Sequence, residues 1–220
     1  QMTSKAKSII IGSPETNQVK IGEAEPLAFI GGPCAIESRE HAFMMAEKIK
    51  NICEKVGMGD LRDPKTVIAP IISDRQRKRI KDHIADAVAK GAKVATGGGW
   101  EGNRCQPTLL TGVSEEMTVC RSETFGPVTA IYPIDSYEEG LEKANDTEYG
   151  LSAAIFTKNI DTAFHFARNS GAGMCHINGP TIHDEAHVPF GGNGESGVGR
   201  EGTDADLEAM TELKWVTVQL

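Results

Sequence analysis

The chain is 220 residues long, 39% apolar and 25% charged, with a formal net charge of −8 at pH 7. That composition describes an ordinary globular protein of one large or two small domains, with apolar runs too short to cross a bilayer. Lys/Arg and Asp/Glu balance over residues 1–58, so the acidity belongs to the remainder; with no basic stripe, neither nucleic acid nor an anionic membrane is an expected partner.

In chain order, Ser8–Gly12 carries a short apolar run with the look of a small strand. Pro26–Ile30 reads as a buried strand stopped by Gly31-Gly32-Pro33. Ser38 is placed to cap a helix whose Ala42, Met45, Ala46, Ile49, Cys53 and Val56 recur every three or four residues before Gly57. This single strand–loop–helix unit has no second parallel strand beside it, so it cannot bury its own faces.

From Asp60 the texture changes. Ser73-Asp-Arg-Gln76 is a capping box, and the helix it opens places Ile80, Ile84 and Val88 on one face before Gly91 closes it. Lys93–Ala95, Pro107–Leu110 and Val128–Tyr132 read as strands, with Thr96–Asn103 a loop. Asp135–Glu138 caps a helix bearing Tyr137, Leu141 and Ala144. Leu151–Phe156 is a strand, Asn159 caps a helix to Ser170 that Gly171 stops, and Gly173–Ile177 is a strand. Strands alternating with helices imply an α/β sheet with parallel pairings. Leu213–Leu220 alternates around Trp215 and Val218 and reads as a terminal strand.

Four stretches resemble the aldehyde dehydrogenase family. They are Gly59-Asp-Leu-Arg-Asp-Pro-Lys-Thr66, Glu123-Thr-Phe-Gly-Pro127, Asn145-Asp-Thr-Glu-Tyr-Gly-Leu151, and Pro189-Phe-Gly-Gly192 with Ser196-Gly-Val-Gly-Arg-Glu201. They stand in family order over residues 59–220. His176-Ile-Asn-Gly-Pro-Thr-Ile-His-Asp-Glu185 looks most like the branch that oxidises aromatic aldehydes. Residues 26–57 are similar to something else: Phe29-Ile-Gly-Gly-Pro-Cys-Ala-Ile-Glu-Ser38 looks like the first strand and loop of 3-deoxy-manno-octulosonate 8-phosphate synthase, a TIM barrel. The expected organisation is therefore a synthase-like segment over 1–58 joined to a partial dehydrogenase region over 59–220.

In the dehydrogenase family a cysteine thiolate attacks the aldehyde, hydride passes to NAD or NADP, and a glutamate helps water hydrolyse the thioester. The nucleophile, that glutamate, the oxyanion-stabilising asparagine and the nucleotide-binding glycines match nothing in this chain, so no catalytic residue is assigned. What carries over is cofactor contact. Glu123 matches the carboxylate that accepts both nicotinamide-ribose hydroxyls, and Phe125 the aromatic beside the nicotinamide ring. The plainer alternative leaves Glu123 merely solvated and Phe125 in the core. By the resemblance, partners are a second copy or an intact dehydrogenase subunit, met through the terminal strand.

The remaining chemistry-bearing residues read as structural. Cys34, Cys53, Cys105, Cys120 and Cys175 are odd in number and form no CxxC pair, as reduced thiols would. Together with an opening that lacks an export-type apolar stretch, they point to the cytoplasm. Cys105, Cys120 and Cys175 look like buried fillers and Cys53 lies on an apolar helix stripe. Cys34 matches a metal-binding cysteine of the metal-dependent synthases, but one thiolate makes no site, and no metal is assigned. Gly192-Asn-Gly-Glu-Ser-Gly197 satisfies G-x-G-x-x-G without the strand before it or the helix after it that nucleotide binding requires. Asn193-Gly194 departs from the family, which has an apolar residue and a lysine there, and the extra glycine is expected to loosen the loop. His183 and His187 flank Glu185 in what should be an exposed loop, since Pro189 disfavours a zinc-type helix.

Overall fold

The computed structural model describes residues 48–219 throughout and, before them, four strands: β1 (Ile9–Ile11), β2 (Val19–Ile21), β3 (Leu27–Ile30) and β4 (Cys34–Ile36). The Gly31-Gly32-Pro33 turn, the Ser38 cap, Ala42–Ala46 and the Cys34 side chain lie outside the described residues, as does Leu220. Helix α1 is described over residues 48–55. The fold is α/β and divides into two compact units, Gln1–Gly140 and Leu141–Leu220. No helix among the described residues is long and apolar enough to cross a membrane.

In the first unit, α2 (Asp74–Ala89) begins where the capping pattern places it: Ser73 accepts from the Gln76 amide at 3.2 Å. It ends in a Schellman motif, with Gly91 at φ +102°, its N–H on Val88 and that of Ala92 on Ala87. The buried face differs from the expected one. It is Ile80, His83 and Ala87, while Val88 is exposed; the buried His83 bonds the half-buried Thr124 at 3.0 Å.

Four strands follow: β5 (Lys93–Thr96), β6 (Trp100–Glu101), β7 (Arg104–Cys105) and β8 (Thr108–Thr111). The expected loop 96–103 thus contains half of a ribbon, β6 on β7, joined by Gly102-Asn103. After the one-turn helix α3 (Thr118–Arg121) comes β9 (Val128–Ile134). Strands β8 and β9 pair in parallel, which their long connection through α3 permits, and β5 pairs antiparallel with β8. Ala87, Ala92, Leu110, Met117 and Ala130 form the core between helix and sheet, with Val94, Val128 and Tyr132 packed against it. Buried hydroxyls are satisfied: Thr108 Oγ1 donates to the Gln106 carbonyl at 2.7 Å and accepts from Gly98 N at 3.0 Å.

The N-terminal strand, expected to have no parallel strand nearby to pair with, is paired antiparallel on both sides. Strand β3 pairs antiparallel with β9, from Leu27 opposite Ile134 to Ile30 opposite Ile131, and with β4 on its other side.

The two units share α4 (Tyr137–Asn145). Its box is shifted one residue from the expected one: Ser136 Oγ accepts from Glu139 N at 3.1 Å, and the Glu139 carboxylate accepts from Asp135 N at 2.7 Å. The second unit continues with β10 (Tyr149–Gly150), β11 (Ser152–Phe156), α5 (Ile160–Asn169) and β12 (Met174–Ile177). Asn159 caps α5 as expected, accepting from Asp161 N and Thr162 N, and the α5 crossover makes β11 and β12 parallel. Helix α5 ends at an extended Ser170 rather than through a left-handed Gly171, whose N–H goes to Asn145 Oδ1.

Asn193-Gly194 forms β13 and pairs with β10, so the departure that should have loosened the loop ties it down. Asn193 donates to the Gly171 carbonyl at 3.0 Å and accepts from Arg200 Nη2 at 2.9 Å. Helix α6 (Thr203–Met210), not anticipated, starts at Gly202, whose N–H is capped by Asp206. The expected terminal strand is not formed. Residues 211–219 carry no ladder, and Leu213, Trp215, Val216 and Val218 stand exposed.

Gly194 holds φ +60°, and a Cβ there would overlap the Glu148 carbonyl. Gly194→Ala should therefore cost on the order of 1–3 kcal/mol, read as a lower urea midpoint at unchanged slope.

Candidate functional site

The two residues singled out by resemblance lie on one turn, residues 122–127, and three side chains of α2 build it. The first is Asp86. The N-cap position of α3, Met117, supplies no side-chain acceptor; Asp86 Oδ2 reaches over and accepts from Thr118 N at 2.7 Å. Lys90 holds the other carboxylate oxygen at 2.8 Å. The Lys90 and Thr118 bonds hold the carboxyl down at about 2.

Helix α3 ends at Ser122 and delivers the turn. Glu123 is exposed, Thr124 half-buried, and Phe125 68% exposed at φ +48°. A left-handed conformation without glycine costs roughly 1–2 kcal/mol and persists only where neighbours hold it. Gln76 is the holder: its Nε2 donates to the Thr124 carbonyl at 2.7 Å and to the Phe125 carbonyl at 2.8 Å. The capping box is thus only half used, since its glutamine side chain serves the turn. Gly126 comes so close to α2 that a Cβ would stand 2.6 Å from Ile80 Cδ1, and Ile80 is fully buried. Pro127 accepts from Thr108 N at 2.7 Å, which starts the parallel ladder.

His83 completes the set. It is 7% exposed, and its Nδ1 shares a 3.0 Å hydrogen bond with Thr124 Oγ1. Burial pushes its pKa down, as does Arg79; Asp86 and Asp82 oppose this.

Glu123 and Phe125 are therefore brought together with their side chains outward. The alternative of a core Phe125 does not hold at 68% exposure. No hydrogen bond engages the Glu123 carboxylate among the described residues. Sequence reading did not find Gln76, His83 or Asp86 as parts of this site. The legible signal was a histidine interrupting an apolar stripe.

The other candidates behave as structural residues. Cys53, Cys105, Cys120 and Cys175 are free, and burial raises the pKa of each thiol. His183 and His187 share the Glu185 carboxylate at 3.2 and 3.3 Å on an exposed loop, the His183 ring lying edge-on to His176. No group of three His, Cys, Asp or Glu among the described residues could hold a metal. The Gly192–Gly197 glycines form a ribbon and turn with no helix directly after them.

Comparison with known proteins bears on both ends of the chain. Residues 37–216 match the aldehyde dehydrogenase family, and residues 5–62 match the DAHP synthetase I family. The chain is 45% identical over 173 residues to a vanillin dehydrogenase of Pseudomonas sp. (strain HR199 / DSM 7063), covering 79% of this chain and 36% of that protein. It is 38% identical over 181 residues to a Pseudomonas putida benzaldehyde dehydrogenase [NAD(+)], covering 82% and 37%. A solved salicylaldehyde dehydrogenase from Pseudomonas putida G7, complexed with salicylaldehyde, is similar with a TM-score of 0.75 and 32% identity, over 85% of this chain and 39% of that one. An aldehyde dehydrogenase from Bacillus cereus in complex with NAD+ is similar with a TM-score of 0.76 and 34% identity, over 86% and 39%. The chain thus spans a little over a third of the length of these relatives.

Two measurements check the turn. Gln76→Ala removes both carbonyl bonds and should destabilise the first unit by about 1–2 kcal/mol in urea, with Gln76→Glu no better, since a carboxylate cannot donate. For acid titration the signs agree. Both folded pKa values are depressed, so each contribution is complete above the unfolded pKa and is lost as pH falls through the folded one. Melting temperature should drop once below pH 6.5 and again from 3.8 towards about 2; His83→Gln should flatten the first step and Asp86→Asn the second.

Proposed function

The chain belongs to the aldehyde dehydrogenase family, and from that premise we propose that residues 59–220 are the part of such an enzyme that holds the nicotinamide end of NAD or NADP. In this reading Glu123 accepts from both ribose hydroxyls, and Phe125 lies against the nicotinamide ring. The bound cofactor supplies the hydride acceptor for oxidation of an aldehyde to an acid. The observation that carries the reading is the turn: an unengaged carboxylate and an exposed ring, two residues apart, on a backbone held in a strained conformation. The vanillin, benzaldehyde and salicylaldehyde dehydrogenases among the similar proteins favour an aromatic aldehyde as the parent substrate. Residues 1–58 are the synthase-like segment.

These 220 residues by themselves should not turn over substrate. The covalent route needs a thiolate, and burial keeps the four described cysteines as thiols. A melt with and without saturating NAD tests the cofactor contact. A transition raised by NAD, and raised less in Glu123→Ala, supports it; a transition unmoved in both refutes it. NADH formation from vanillin or benzaldehyde by the chain alone would overturn the expected inactivity.

One observation favours a second role, that of an interaction module. Leu213, Trp215, Val216 and Val218 are 107%, 89%, 71% and 78% exposed and form no ladder. Such a segment suits addition to a sheet edge of a second copy or of an intact dehydrogenase subunit. Size-exclusion chromatography should show association that Trp215→Lys with Val218→Lys abolishes; a wild-type monomer at all concentrations would sink this reading.

A further inference from the structure

We infer that His83 is a positioning residue: through Thr124 it sets the turn that carries Glu123 and Phe125, and so acts on nucleotide contact without touching the nucleotide. The functional half of this rests on the reading of Glu123 and Phe125 given above; the structural half does not.

Packing by itself does not require a histidine at position 83. Ile80, His83 and Ala87 are the buried face of α2, and an aliphatic side chain would fill the middle place without desolvating an imidazole. The imidazole instead shares a 3.0 Å bond with the Thr124 hydroxyl. Thr124 lies between the two contact residues, and its own carbonyl is bonded by Gln76. The residue is therefore gripped twice from one helix, at its side chain by His83 and at its backbone by Gln76.

The two grips do different work. Gln76 bonds successive carbonyls and fixes the direction of the peptide between Thr124 and Phe125, which sustains φ +48° at Phe125. It leaves rotation about the Thr124 side chain free. His83 removes that freedom and fixes how deeply Thr124 sits, and hence the height at which its neighbours emerge. Gly126 sets the limit of approach, since its backbone already rests on Ile80. With Gln76 alone the turn would keep its shape but could lift from the helix. With His83 it is seated.

Hydrogen exchange of the 220-residue chain, read on peptides covering residues 118–128, tests the inference in five proteins: wild type, His83→Leu, His83→Gln, Thr124→Val and the double variant His83→Leu with Thr124→Val. Losing one net hydrogen bond should speed exchange at the turn on the order of tenfold in His83→Leu. His83→Gln, whose amide can still bond a hydroxyl, should restore most of the protection. Thr124→Val should match His83→Leu, and the double variant should be no worse than either, because both remove the same bond. Unchanged exchange at the turn in His83→Leu would overturn the inference. So would a loss spread evenly over the first unit that glutamine does not rescue, which marks an ordinary core residue. NAD affinity of the same proteins then separates the two halves. NAD weakened in His83→Leu and recovered in His83→Gln supports both. A turn loosened as described, with no NAD bound even by wild type, upholds His83 as the seat of the turn and overturns the cofactor reading.

Discussion

The approach of Gly126 to Ile80 is the contact on which the first unit is organised. With no side chain at 126, the backbone rests directly on α2, and this brings residues 122–127 within reach of two polar groups on the same helix, Gln76 and His83. Any larger residue would hold the segment off, and Gln76 and His83 would lose their partners together. Each would then be a desolvated polar group facing nothing, which is worse than an apolar surface. The contact also places Pro127 to receive Thr108 N, so the register of the parallel pair β8–β9 starts from the same point.

Strain and exposure at Phe125 follow from that arrangement. A ring on a left-handed residue cannot fold back onto its own turn easily, and here it stands away from the protein. The glutamine that stabilises this backbone is the one expected to reach back to its own helix start. A capping box therefore reads from sequence as a local device, while one of its two members is spent on a segment about fifty residues further along the chain.

The second unit shows the opposite kind of surprise. Glycine at 194 enlarges the conformational freedom of the unfolded chain, and the sequence alone suggests a looser loop. In the folded protein the left-handed Gly194 lets Asn193 sit in a ribbon with β10, where its amide joins Gly171 and Arg200. Likewise β3 has no parallel neighbour in its own segment, and its pairing with β9 is supplied by a strand a hundred residues downstream.

By itself the sequence determined the local devices and the ancestry. Ser73 and Asn159 as caps, Gly91 as a helix stop, the α5 crossover between parallel strands and the Glu123–Pro127 motif were all legible, because caps, glycine stops and periodicity act within a few residues. The tertiary structure alone decided which face of α2 is buried, which strand accepts β3, and what holds the turn. Those outcomes depend on groups far apart in the chain meeting at hydrogen-bond distance. A buried histidine is stable only if its partner is there, and the partner, Thr124, stands 41 residues away. The exposed end from Leu213 to Val218 makes the same point in reverse: its alternation specifies a strand, and a strand without a neighbouring edge forms no ladder.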